Sequence, residues 1–219
     1  MKKIYIAAGG PERLLPDLEQ ENGEGINWVG VDRGVLYLSE RSIPMVEAIG
    51  DFDSITAEER EALENRHLSL NMYPSEKDKT DTELALDWAI SQNPELIRIY
   101  GATGGRLDHF FANIYLMMKQ TESGIPIQIA DQYNIISLLE SGVHTIKEEE
   151  AFPYISFIPI NGDAGQLTLE GFKYPLKNRH IPFGSTLCIS NELIHHTGTV
   201  SFSSGILMMI RSRDETKMK

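Results

Sequence analysis

The sequence predicts an α/β protein: a doubly wound, mostly parallel sheet followed by a smaller all-β, sandwich-like domain. Two observations carry this. In the first part, short apolar runs end on Gly or Asp and alternate with helical patterns, as buried parallel strands joined by helices do. Beyond residue 142 helical periodicity fades, and β-rich runs recur at roughly 8–12-residue spacing. The domains are therefore set at 1–142 and 143–219.

The early strands are Ile4–Ala8, Trp28–Val31, Val46–Ile49, Ile97–Tyr100 and Ile125–Ala130. Asp32-Arg33-Gly34 closes the second of them. Thr56-x-x-Glu59 and Thr80-x-x-Glu83 read as capping boxes, in which side chains satisfy the unpaired N–H groups of a helix start. Arg106–Gln120 reads as a third helix with apolar Leu107, Phe110, Phe111, Ile114 and Met118. The later β-runs are Tyr154–Ile160, Gln166–Leu169, Phe172–Leu176, Thr186–Ser190, Thr197–Phe202 and Ile206–Arg211, with turns such as Ser203-Ser204-Gly205 between them. Glu148-Glu149-Glu150 reads as a solvated connection.

The chain has 219 residues, and 20 basic against 32 acidic side chains give a net charge of −12. Such a surface repels phosphates, which argues against a nucleic-acid partner. A phosphate substrate must come with a cation or enter a nest of backbone N–H groups. The single cysteine, Cys188, excludes a disulfide framework and fits a reducing cytoplasm. The N-terminal apolar run is too short for a signal-peptide core, and no run approaches the ~20 residues that span a bilayer. The expectation is a cytoplasmic protein without a membrane partner.

Three segments carry candidate chemistry, and all are read as falling at C-terminal ends of predicted strands, where an open parallel sheet binds its ligands. In Gly50-Asp51-Phe52-Asp53-Ser54, two carboxylates at i and i+2 converge if the turn is tight. They suit Mg²⁺, which takes one or two carboxylates plus phosphate oxygens; the alternative is an ordinary turn capping the next helix. In Lys77-Asp78-Lys79-Thr80-Asp81, Asp78 and Asp81 sit at a helix entrance and the lysines are cations for phosphate. The alternative there is a solvated helix start. In Gly101–His109, the glycines of Gly104-Gly105 admit phosphate close to the backbone, helix N–H groups point at it, and Arg106 adds a bidentate donor beside Asp108. This is neither a Walker A loop nor the dinucleotide G-x-G-x-x-G. Gly9-Gly10 is a weaker version of the same kind of loop.

Taken in order, these segments resemble the signature of the thiamine pyrophosphokinases. Asp32-x-Gly34, Gly171–Leu176 and Ser190-Asn191 extend the resemblance over about residues 5–210. It implies transfer of a pyrophosphoryl group from ATP to the thiamine hydroxyl, leaving AMP and thiamine diphosphate. It also implies a homodimer, with nucleotide and metal on the α/β domain and thiamine held with help from the other chain's β-domain. Asp51, Asp53 and Asp81 would be metal ligands with Asp78 close by, completing a catalytic set of four carboxylates. Asp32, Gly104, Gly105, Arg106 and Asp108 would face ATP, and Ser190 and Asn191 would reach thiamine. Two other classes remain open at this stage. One is a phosphohydrolase with Asp51 as nucleophile; the other is a catalytically silent thiamine or nucleotide sensor.

Overall fold

The structure, a computed structural model, describes residues 2–50, 70–72 and 78–215. Asp51, Asp53 and the helix start expected at Thr56 lie outside the described residues. The chain forms two compact units, divided between Gln132 and Tyr133.

In the first unit β1 (Lys3–Ala7), β2 (Ile26–Val31), β3 (Met45–Gly50), β4 (Leu70–Met72), β5 (Leu96–Tyr100) and β6 (Ile127–Ala130) pair in parallel, in the order β6-β5-β1-β2-β3-β4. The apolar runs are continuous because both faces of the sheet are covered. On one face Tyr5, Trp28 and Tyr100 pack together, with Tyr5 and Trp28 edge to face at 5.3 Å and Trp28 and Tyr100 stacked at 5.6 Å. Arg98 lies over Tyr5 and binds Gln128 at 2.8 Å, while the Tyr100 hydroxyl donates to Glu21 at 2.6 Å. Strand order reverses between β1 and β5, and that reversal opens a ligand crevice beyond the strands' C-terminal ends.

The helices are α1 (Leu18–Glu21), α2 (Arg33–Glu40), α3 (Asp81–Ser91), α4 (Leu107–Leu116) and α5 (Gln120–Ser123) among the described residues. The expected closing turn Asp32-Arg33-Gly34 instead opens α2, which buries every residue from Gly34 to Ser39. Its two exposed residues, Arg33 and Glu40, lie seven apart on one face, so the polar stripe is narrow and repeats only once over barely two turns. The third predicted helix is α4, continued by a 3₁₀ turn over Met117–Lys119 and then by α5. Ile114 and Met117 are its core residues, whereas Leu107, Phe111 and Tyr115, one helical face, are 64%, 57% and 67% exposed.

The second unit is antiparallel. Its strands are β7 (Asn134–Lys147), β8 (Tyr154–Pro159), β9 (Ala164–Glu170), β10 (Leu176–Ile181) and β11 (Thr197–Ser212). β11 pairs along one edge with β7 and along the other with β9 and then β8, and β10 pairs with β9. Ser203-Ser204-Gly205 is not the expected turn between two strands. It is an irregularity within β11, where the register with β7 shifts between Phe202 and Ile206. Phe172–Leu176 and Thr186–Ser190 are not continuous strands; isolated bridges join Phe172 to Leu193 and Ile155 to Asn191. The core gathers Ile155, Phe157, Leu167, Phe172, Val200 and Leu207. β7 runs unbroken through Gly142, so residues 134–142 pair with β11 and the unit begins ahead of the expected boundary.

Candidate active site

At the β1/β5 crevice two glycine loops interlock. Ala8 N–H donates to the Tyr100 carbonyl at 2.8 Å and Gly10 N–H to the Gly101 carbonyl at 2.8 Å. The Tyr37 hydroxyl of α2 donates to the Gly10 carbonyl at 3.1 Å. Gly101 has φ 68°, and a Cβ there would strike the Ala8 carbonyl, so both conformation and space require glycine. Gly105 is different. A Cβ on it would meet nothing within 4 Å and its φ is ordinary, so nothing within the chain demands a glycine. Its backbone is therefore open to the approach of a ligand.

Arg106 stands at the N-terminal cap of α4, its guanidinium forked onto Asp108 with Nη2–Oδ2 at 2.5 Å and Nε–Oδ1 at 3.3 Å. The Arg106 hydrogen bonds lower the Asp108 carboxyl to about 2. Asp108 therefore stays ionised at neutral pH, and because both side chains are exposed the fork is weak enough for a competing anion to open it. Sequence reasoning places both residues here; the mutual clamp is new.

Asp32 lies beyond β2, at the cap of α2, with φ 49° and ψ −122°. Its N–H donates to the Ile49 carbonyl at 3.1 Å, and a Cβ on Gly50 would strike its carboxylate. A non-glycine residue in this region carries about 1–3 kcal/mol of strain, which concentrates at functional sites. The backbone thus holds the Asp32 carboxylate against the residue preceding Asp51.

α3 begins at Asp81, and the Thr80 hydroxyl accepts the Glu83 N–H at 3.2 Å. Glu83 does not complete a reciprocal box, because its carboxylate accepts from Lys119 at 3.1 Å. Lys79 is committed to Asp87 at 2.7 Å, which Lys119 also binds at 2.6 Å. Burial pushes the Asp87 carboxyl up, and the two ammonium groups outweigh it and hold it below the usual carboxylate range. Lys79, expected to meet phosphate, is thus engaged along α3. Asp78 is exposed and Asp81 half-buried. No group of three or more metal-binding side chains occurs among the described residues, which include neither Asp51 nor Asp53.

In the second unit Ser190 is exposed with φ 54°, and its N–H donates to Ser156 Oγ at 3.0 Å. Asn191 is buried, and its side chain turns inward. Oδ1 accepts from Tyr174 N–H and Glu192 N–H, both at 3.0 Å, and Nδ2 donates to the Tyr174 carbonyl at 2.9 Å. The amide clips the Tyr174 segment to the loop and so presents Ser190. Replacing it leaves part-buried backbone groups of Tyr174 and Glu192 without these bonds, at about 1 kcal/mol for each. Asn191→Ala is therefore expected to lower Tm by several degrees; an unchanged melting curve would show the clip to be dispensable.

A cavity of about 310 Å³ lies just past Asn191. Phe152, Pro153, Ile155 and Leu193 form its apolar wall, and Glu148, Glu149, Glu150 and Glu192 bring carboxylates. Arg211 lines it too. Its Nη2 donates to the Lys147 carbonyl at 2.6 Å, and its buried Nη1 has no hydrogen-bond partner. The glutamate run is the exposed connection expected, between β7 and β8, and it also lines this cavity, with Glu149 3.6 Å from Arg211 and Glu148 2.6 Å from His196. The pairing partners sit about fifty residues or more away in sequence, so no local signal announces them.

A parallel sheet with glycine loops, a helix start and an arginine at its switch point, joined to a separate β-rich unit, defines a phosphate-handling α/β protein. Two family models match, the thiamin pyrophosphokinase catalytic domain over residues 19–129 and the thiamin pyrophosphokinase vitamin B1 binding domain over residues 143–207. The chain is 52% identical to the thiamine pyrophosphokinase of Bacillus subtilis, over 98% of this chain and 100% of that one. It matches the crystal structure of thiamine pyrophosphokinase from Bacillus subtilis with a TM-score of 0.94 at 52% identity, covering 97% of this chain and 100% of that chain. The thiamin pyrophosphokinase structure from Geobacillus thermodenitrificans matches at 0.91 and 50% identity, covering 98% and 99%. The chain belongs to the thiamin pyrophosphokinase family. Its reaction is the transfer of a pyrophosphoryl group from ATP to thiamine, giving thiamine diphosphate and AMP, and the family works with ATP and a divalent metal. The phosphohydrolase and sensor readings are not supported. No helix among the described residues is long and apolar enough to cross a membrane.

Proposed function

We propose that the chain carries out this transfer with Mg²⁺, in the cytoplasm, as a homodimer whose thiamine site is built from two chains. Asp51, Asp53 and Asp81 would hold the metal, with Asp78 beside them and Asp32 near the nucleotide. These are hard oxygen donors of the kind Mg²⁺ takes together with phosphate oxygens, and the metal supplies charge neutralisation across those oxygens. Gly104, Gly105 and the start of α4 would cradle the ATP phosphates, with Arg106 exchanging Asp108 for a phosphate oxygen. The thiamine hydroxyl oxygen then forms its bond to the β-phosphorus as the α–β bridge breaks and AMP leaves. Such a displacement rests on alignment and charge, and needs no covalent nucleophile.

For thiamine, Ser190 would meet the ligand while Asn191 holds the loop in place. The neighbouring cavity offers an apolar wall for rings and carboxylates of the sign a thiazolium cation requires. The two-chain arrangement is supported by apolar side chains left exposed on both units. They include Leu107, Phe111 and Tyr115 on α4, and Tyr174, Leu187, Ile189 and Ile194 in the second unit. The buried thiol of Cys188 fits a reducing compartment.

The observation that carries the phosphate half is the open space at Gly105. Incubating the protein with ATP, thiamine and Mg²⁺ should yield AMP and thiamine diphosphate in equal amounts. Gly105→Ala should raise the KM for ATP about tenfold or more while leaving Tm unchanged or up to a few degrees higher, because the methyl group enters the ligand's space and no space of the protein's own. ADP or free phosphate as product would refute the reaction, and a Gly105→Ala enzyme with unchanged ATP kinetics would remove the loop from the phosphate site.

A further inference from the structure

The loop that this reading gives to ATP is held by two buried side chains. Asn113, on α4 and 8% exposed, donates from Nδ2 to the Ala102 carbonyl at 3.1 Å. Asp131, just beyond β6 and 5% exposed, accepts from the Thr103 hydroxyl at 2.8 Å. Ala102 and Thr103 are the two residues between the sharp turn at Gly101 and the bare glycines Gly104 and Gly105. Each is tied by one side chain, and the two come from different elements.

The geometry points to Asn113 and Asp131 as positioning residues for the nucleotide phosphates. A carbonyl oxygen turned toward an anion repels it, whereas N–H groups attract it. Bound by Asn113 on the inner side, the Ala102 carbonyl is kept off the anion's side of the loop. The Thr103–Asp131 bond fixes the next residue, so the chain enters Gly104-Gly105 in one conformation. Gly104 is seated as well, since a Cβ on it would strike the Pro11 ring. Preorganisation of this kind removes the cost of ordering the loop when ATP arrives. Tying Ala102 to Asn113 also fixes the loop to the helix whose N-terminus faces the same anion, so both sets of donors move as one body.

This inference rests on the loop being the ATP phosphate site, and the test separates the two. Thr103→Val keeps the shape and deletes the hydroxyl, Thr103→Ser restores the hydroxyl, and Asn113→Asp keeps the shape but replaces the donor by a carboxyl, so the Thr103 pair, which adds no charge, decides where the two disagree. With the full-length protein, the KM for ATP should rise about five- to tenfold in Thr103→Val and in Asn113→Asp, in line with the loss of one hydrogen bond. The KM for thiamine should hold in both, and Thr103→Ser should return to within about twofold of the parent. Arg106→Ala is measured alongside. If it weakens ATP use while folded Thr103→Val does not, or if Thr103→Ser is as impaired as Thr103→Val, the positioning role is overturned and the phosphate site stands. If Arg106→Ala also leaves the KM for ATP unchanged, the phosphate assignment falls with it. Should Asn113→Asp not fold, the Thr103 pair alone decides.

Discussion

Asp53→Asn is expected to lower turnover by at least about 10³-fold while the far-UV circular dichroism stays that of the parent, and excess chelator should stop the parent enzyme outright. The physical cause is charge. The chain carries a net −12, and a polyphosphate brought among further carboxylates is repelled on every side. Two bare carboxylates ~4 Å apart already repel one another by ~4 kcal/mol at an effective dielectric of 20. A divalent cation reverses both signs at once, and losing about 4 kcal/mol of transition-state stabilisation is about three orders of magnitude in rate. Asn keeps the shape of Asp but not its charge, so the defect should lie in metal use: restoring turnover should take more Mg²⁺ than in the parent. Full activity in excess chelator, or normal turnover by a folded Asp53→Asn enzyme, would end the assignment of this carboxylate to a metal.

The elements that sequence makes legible are those whose signal is local. Ile4–Ala8 and Ile97–Tyr100 are apolar because both sheet faces are covered, and each stops at glycines because the two loops lie against each other. The same steric demand that writes Gly101 into the sequence places it at the crevice, so a motif search and the fold agree there. What stays illegible depends on partners distant in the chain. α2 spans barely two turns and opens on Asp32-Arg33-Gly34, which has turn chemistry; β7 carries a glycine at 142 although its pairing with β11 continues. Ser203-Ser204-Gly205 has turn chemistry, yet neighbouring strands on both sides of β11 carry it through as an irregularity. In the site, Arg106 and Asp108 are readable from a helix start two residues long. Asn191 reads as a ligand contact, and only its bonds to the Tyr174 backbone reveal that it also holds the loop. Nor does the glutamate run disclose that Arg211, some sixty residues on, lies beneath it.

Mixing two inactive proteins should regenerate activity if the thiamine site is shared between chains. One partner is Asp53→Asn. The other must disable the thiamine half without loosening the fold, which makes Asn191 the wrong residue, since its amide is buried and fully engaged in a clip. Ser190→Lys is suitable: Ser190 is exposed, and a cation placed there repels a thiazolium ring. Each variant alone should be inactive, because in a two-fold dimer both of its sites carry the same defect. In a mixed dimer one site collects both defects and the other collects neither. Random exchange makes half the dimers mixed, and half the sites in those are intact, so roughly one quarter of the parent activity should return. Returned activity should follow the mixed fraction as the mixing ratio is varied, peaking at equal amounts. Exchange is verified independently by giving the two variants different masses and weighing the intact dimers. If mixed dimers are present and no activity appears, each thiamine site is built within one chain, and the apolar face of Leu107, Phe111 and Tyr115 serves something other than a shared site.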